Sequence, residues 1–139
     1  MNLILSRGQK AAIRAHMRAT QPEECCGLLL GDAQTGQVHE VRPTTNVAAD
    51  RLHHFEIDPA ALLAAYKAAR SAGPVVLGHY HSHPLGTAQP STVDAAMAEK
   101  RGEIWVIVDG TGKMTAWQGK VDGDLHRSFM RVALTIAGD

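Results

Sequence analysis

A mixed α/β domain is what this sequence predicts, and three observations predict it. Short apolar runs of strand length alternate along the chain with stretches of helical periodicity. Clusters of glycine, proline and small polar residues punctuate them. The 139 residues make up the length of one ordinary domain, with no repeat, low-complexity run or linker to divide it. A chain of this size buries roughly 68–70% of its unfolded surface, so it needs neither disulfides nor a structural metal to fold.

Taken in order, Ser6 is placed to cap a helix running to Thr20, with apolar residues at Ala11, Ala12, Ile13, Ala15, Met17 and Ala19 and Pro22 just past its end. "CCGLLLG" (25–31) reads as a buried strand, the "GDAQTG" cluster as a turn, and "QVHEVRPT" as a half-buried strand. "HHFEI" (53–57) alternates and is expected to be a further strand. Asp58 and Pro59 then occupy the cap and first position of a second helix, "AALLAAYKAAR", which Gly73-Pro74 stops. "VVLGHYH" (75–81) is a strand and "PSTVDAAMAEK" a short helix. "EIWVIVD" and "KMTAWQ" are strands joined across Gly110-Thr111-Gly112, a hairpin signal. The last fifteen or so residues fit strand and helix equally.

Fourteen basic and fourteen acidic residues cancel, which leaves no electrostatic footprint for nucleic acid or for an anionic membrane. The opening "MNLIL" is too short for a signal core or a membrane span, so a cytoplasmic protein is expected. Cys25 and Cys26 are adjacent and cannot pair without strain. Cys26 is read as a small core residue, and Cys25 lacks an identifiable base partner that would make it a nucleophile.

Eight histidines are the compositional oddity, and three of them stand at 79, 81 and 83 in "GHYHSHPLGTAQPSTVD". Alternate residues of a strand share a face. His81 and His83 therefore reach one ion from the end of a strand that Pro84 terminates, and Asp94 follows in the first turn of the next helix. Two imidazoles and a carboxylate, with water in the fourth place, are the ligand set of a catalytic zinc site. A blander account competes: Ser91-x-x-Asp94 also spells a capping box, and alternating histidines also suit a wet strand edge. His79 shares the face and is a rival ligand. A zinc hydrolase also needs a carboxylate to take and return a proton, and Glu23 and Glu24 stand at the mouth of the strand 25–31. His53 and His54 are read as a polar strand edge.

Glu24, then His81-x-His83-Pro84, then Ser91 and Asp94 resemble the JAMM motif of the JAB/MPN metalloprotease family. "EECCGLLLG" is similar to that family's E-x-C-G segment. Eight positions separate His83 from Ser91 and three separate Ser91 from Asp94, which is the family's spacing. The resemblance takes in "FEIDP" and the helix after it, and covers most of residues 1–118; the tail beyond about 118 lies outside it. It implies a single MPN/JAB-type domain spanning 1–139, a curved mixed sheet packed by helices. It further implies zinc held by His81, His83 and Asp94, with Glu24 as general base and then acid and Ser91 steadying the oxyanion. The implied activity is a zinc isopeptidase or peptidase that cleaves after the C-terminus of a ubiquitin-like β-grasp protein, by Glu-assisted attack of zinc-bound water. Two rivals are a non-cleaving MPN-like scaffold and a zinc amidase acting on small peptides. Larger members of the family carry two insertions that grip ubiquitin; only a few residues lie between Asp94 and Glu103 to house the second. At His79 the sequence departs from the pattern, where an aromatic or apolar residue is more usual.

Overall fold

A computed structural model describes residues 1–139 as a seven-stranded mixed sheet with three helices. The strands are β1 (Asn2–Leu5), β2 (Cys26–Gly31), β3 (Val38–Thr44), β4 (Val75–His83), β5 (Arg101–Asp109), β6 (Met114–Gly123) and β7 (Arg127–Ile136). The helices are α1 (Arg7–Thr20), α2 (Pro59–Arg70) and α3 (Thr92–Met97). Across the sheet the order is β1-β7-β6-β5-β4-β2-β3. The β4 strand sits at the change of direction, parallel to β5 and antiparallel to β2.

Local chemistry starts the helices where the sequence predicts. Ser6 and Gln9 form a reciprocal capping box on α1, at 2.9 and 3.0 Å. Asp58 accepts from the Ala60 amide at 3.0 Å, with Pro59 in the first turn of α2. The α1 helix buries Ile13 and Met17 with Leu29, Tyr80, Val106 and Val132 on one face of the sheet. The opposite face carries Cys26, Phe55, Trp105, Ile107, Trp117 and Phe129. Beside that cluster, Ala65 of α2 packs on Leu28 and Leu30. Glycines let the strands approach this closely: a Cβ on Gly78 would overlap the Ile104 backbone, and one on Gly27 the Tyr80 ring.

Two expectations are corrected, over residues 53–57 and over 90–100. Residues 53–57 form no strand, only a single bridge between Asn46 and Ile57. The Asn46 side chain takes over the work of a neighbouring strand. Its amide donates to the Glu24 and His54 carbonyls at 2.9 and 3.0 Å, and its oxygen accepts from the Ala48 and Glu56 amides at 3.0 and 3.1 Å. The apolar opening is a strand, β1, paired in parallel with β7. The helix expected over 90–100 is the six-residue α3, and three residues separate it from β5. The ambiguous tail resolves as strand.

Candidate metal centre

The centre is built on the pairing of β2 with β4. Cys26 pairs with His81 and Gly27 with Tyr80. One step further, the Cys25 amide donates to Ser82 Oγ at 2.8 Å and the Ser82 amide to the Cys25 carbonyl at 3.1 Å. That register sets Glu24 across from His83. Because side chains alternate, His79, His81 and His83 share the face that carries Trp105, while Tyr80 points to the other. Asp94 arrives from α3, whose start is a full capping box: its amide donates to Ser91 Oγ at 3.0 Å, and the Ser91 amide donates to Asp94 Oδ2 at 2.9 Å. The capping reading of Ser91 and Asp94 holds, and Asp94 Oδ2 faces the two imidazoles at the same time.

Four predicted residues converge. His81 Nε2 lies 2.9 Å from His83 Nε2, and Asp94 Oδ2 lies 3.3 Å from the first and 3.2 Å from the second. One donor atom each of Glu24, His81 and His83 also falls within 4.8 Å of the others. His83 Nδ1–H donates to the Thr87 carbonyl at 2.7 Å, which leaves its Nε2 as a lone pair in the neutral ring. Ser91 stands at the rim of a cleft of about 450 Å³, with Glu24, His53, Leu52 and Leu85. His53 is exposed and bonds Asp50 at 2.9 Å. Cys25 and Cys26 are free thiols buried in the core, and burial pushes the Cys25 thiol up to about 11.

Electrostatics sort the two carboxylates. Burial works against the charge of Asp94, but the two imidazoles and the Ser91 amide outweigh it and hold its carboxyl well below the usual range. Burial pushes the Glu24 carboxyl up to about 7, with His83 opposing and Asp94 assisting. Asp94 is thus a fixed anion and Glu24 a carboxyl able to exchange a proton near neutrality. His81 is fully buried, and burial lowers its pKa despite Asp94. Burial against Trp105 and Phe55 lowers His79 to about 3, so its ring is neutral.

A cation fits this donor set. Three polar atoms crowd one point with at most one proton of neutral His81 between them, and Oε1 of Glu24 and Nδ1 of His81 are buried without a partner. A tetrahedral zinc with bonds of about 2.0–2.1 Å sets its ligands roughly 3.3 Å apart, close to the separations found. Imidazole nitrogen with one carboxylate oxygen is zinc chemistry.

Sequence reasoning missed two residues here. Phe55 is 4% exposed and stacks on His81, ring centroids 4.2 Å apart and planes 18° from parallel, closing the inner side of the centre. Asn46 ties the Glu24 carbonyl to the Phe55 loop. The reading of "HHFEI" as a strand says nothing of what Phe55 faces.

A family profile described as "Prokaryotic homologs of the JAB domain" matches residues 6–120. The chain belongs to the prokaryotic JAB family. A desampylase of Haloferax volcanii is 35% identical over 123 residues, covering 84% of this chain and 88% of that one. A probable TtuB-protein conjugate cleaving protease of Thermus thermophilus is 36% identical over 115 residues, 83% of this chain and 74% of its own. Among solved structures, a Desulfitobacterium hafniense protein superposes with a TM-score of 0.83 at 28% identity, over 100% of this chain and 94% of that one. No helix of this JAB protein is long and apolar enough to cross a membrane.

Proposed function

We propose that this chain is a zinc-dependent isopeptidase or peptidase that hydrolyses the bond after the C-terminus of a ubiquitin-like β-grasp protein. The observation that carries it is the convergence of His81 Nε2, His83 Nε2 and Asp94 Oδ2 beside the buried, partnerless Oε1 of Glu24. Kinship to a conjugate-cleaving protease and a desampylase supports the substrate class. Residues 1–139 act as one catalytic domain, since β1 closes the sheet against β7 at its far end. Its place is the cytoplasm, where two free cysteines stay reduced.

His81, His83 and Asp94 would hold the zinc. Bound there, zinc would supply Lewis acidity for activating a water and the scissile carbonyl. Glu24 takes the proton of the attacking water at Oε1 and returns it to the leaving nitrogen as the C–N bond breaks. Ser91 Oγ accepts from the Asp94 amide, and its own proton is free to steady the carbonyl oxygen as negative charge develops there. Phe55 covers His81 and keeps bulk water from the inner side.

Metal analysis and peptide release test the assignment. The substrate is a bacterial-type β-grasp protein ending in Gly-Gly, fused to a peptide. The wild type should carry one zinc and cleave the fusion, while His81→Ala and Asp94→Ala should lose metal and activity together. Full zinc occupancy in either variant refutes the ligand set. Three residues between α3 and β5 leave no room for a ubiquitin-gripping insertion, so di-ubiquitin should be a poor substrate. Rapid cleavage of di-ubiquitin with none of the fusion refutes the substrate class.

A further inference from the structure

Between His83 and Ser91 the chain runs through a loop, residues 84–90, and three of its carbonyls are taken by side chains. Thr87 O accepts from His83 itself. Ala88 O accepts from the Thr115 hydroxyl, which in turn accepts from Trp117 Nε1 at 2.9 Å. Pro90 O accepts from His126 Nε2 at 3.0 Å. Thr115 and Trp117 lie on β6, and His126 lies in the turn between β6 and β7.

The peptide unit at Pro90–Ser91 is held from both sides. Its oxygen receives the His126 proton, and its N–H donates to Asp94 Oδ2, the oxygen that faces both imidazoles. Fixing the first bond fixes the plane of the second, and a carbonyl that accepts a hydrogen bond makes its own amide a stronger donor. The turn that presents His126 is itself constrained. His126 and Arg127 are consecutive non-glycine residues in the left-handed region, at φ +52° and +55°. Such backbone persists only where its surroundings over-determine it, and it gathers at functional sites. Here the Leu125 carbonyl accepts from the Ser128 and Phe129 amides at 3.0 and 3.1 Å, and Ser128 Oγ donates to the His126 carbonyl at 3.0 Å. Phe129 meets Trp105 edge-on, 5.1 Å between centroids, which seats the turn on the aromatic cluster beneath the centre.

We propose that His126 is a positioning residue for the hydrolytic centre, clamping the Pro90–Ser91 peptide so that its amide orients Asp94, with Thr115 as the second anchor of the same loop. This rests on Asp94 being a metal ligand, as read above. His126 lies past residue 120, where the family match ends, so the device belongs to the part of the chain the motif does not reach.

The test compares wild type, His126→Ala and His126→Gln; glutamine restores an N–H donor of similar reach. His126 is exposed, so its removal opens no core cavity, and melting followed by circular dichroism should show all three folded. Zinc affinity is read by competition with a chromophoric chelator, and ligand geometry by the visible spectrum of the cobalt-loaded protein. Outer partners of metal ligands typically set affinity or activity by about 10–100-fold. His126→Ala should therefore bind zinc at least about 10-fold more weakly and show a shifted cobalt spectrum. At saturating zinc its kcat should fall with KM little changed, and His126→Gln should recover most of each loss. Wild-type affinity and spectrum in His126→Ala, or no recovery in His126→Gln, overturn the clamp and leave the ligand set standing. A wild-type protein that binds no metal overturns both.

Discussion

Replacing Glu24 with glutamine should remove activity while making the metal-free protein more stable above neutral pH. Glu24 is 7% exposed, and its Oε1 has no partner. Burial is the main reason its carboxyl is pushed from the ordinary 4.5 up to about 7. In the unfolded chain the group ionises near 4.5, so between 4.5 and 7 the folded state holds more of its proton than the unfolded state does. Stability from this group is fully present below the lower value and is lost as pH rises through the upper one. The gap corresponds to about 3 kcal/mol at its limit. Glutamine cannot ionise and escapes that loss. Urea unfolding in the presence of a chelator, for both proteins at pH 4.5, 6 and 8, isolates this group by subtraction. The variant's advantage should grow from near zero toward about 3 kcal/mol. A difference that stays flat across the window refutes the buried-carboxyl reasoning. The same variant, loaded with zinc, should keep its metal and lose about 10²–10⁴-fold in single-turnover cleavage. Glu23, half-buried and paired with Arg51 at 3.1 Å, is the control, and Glu23→Gln should match wild type. Equal rates for Glu24→Gln and wild type would remove the proton-transfer role. A loss confined to Glu23→Gln would place the register one residue off.

His79→Ala should retain full zinc, because its ring packs against Trp105 and Phe55 and its Nδ1 reaches no other donor; loss of metal on elemental analysis would put the wrong pair of histidines in the ligand set. Phe55→Ala should lower stability by about 3 kcal/mol, the low end for a buried phenylalanine, and weaken zinc by uncovering His81; unchanged affinity in chelator competition would limit Phe55 to packing. Gly78→Ala should lower the urea midpoint by an amount equivalent to about 1–3 kcal/mol or more, since the new Cβ meets the Ile104 backbone and not a movable side chain. An unaltered midpoint would contradict the close β4–β5 approach.

What the sequence made legible was local or carried by fixed spacing. The capped helices at Ser6 and Asp58 and the hairpin at Gly110–Gly112 each have their signal within a few residues. The His81, His83 and Asp94 cluster was readable because strand alternation and one loop suffice to bring them together. The β1 strand was not, because "NLIL" finds its partner only at Ala133–Ile136, near the opposite end of the chain. "HHFEI" alternates like a strand, yet Asn46 satisfies the backbone there. No window around residue 55 contains the residue that displaces its neighbouring strand. The same holds for His126, which meets Pro90 from 36 positions away.

Glu24 and the two histidines are spaced by the pairing of β2 with β4. His81 and His83 lie on β4 and Glu24 stands two residues before β2, so the ladder between these strands, Cys26 to His81 and Gly27 to Tyr80, works as a ruler. A slip of one residue would bring Glu23 to the place of Glu24, or turn Tyr80 and Ser82 toward the metal and the histidines away from it. The spacing of Glu24, His81 and His83 is therefore set all at once. Heat inactivation should coincide with the cooperative melting of the sheet, with no earlier phase in which the fold survives and the chemistry does not. For the same reason, transplanting this chemistry to another scaffold requires both strands in register; copying the motif alone would carry the ligands without the distance between them.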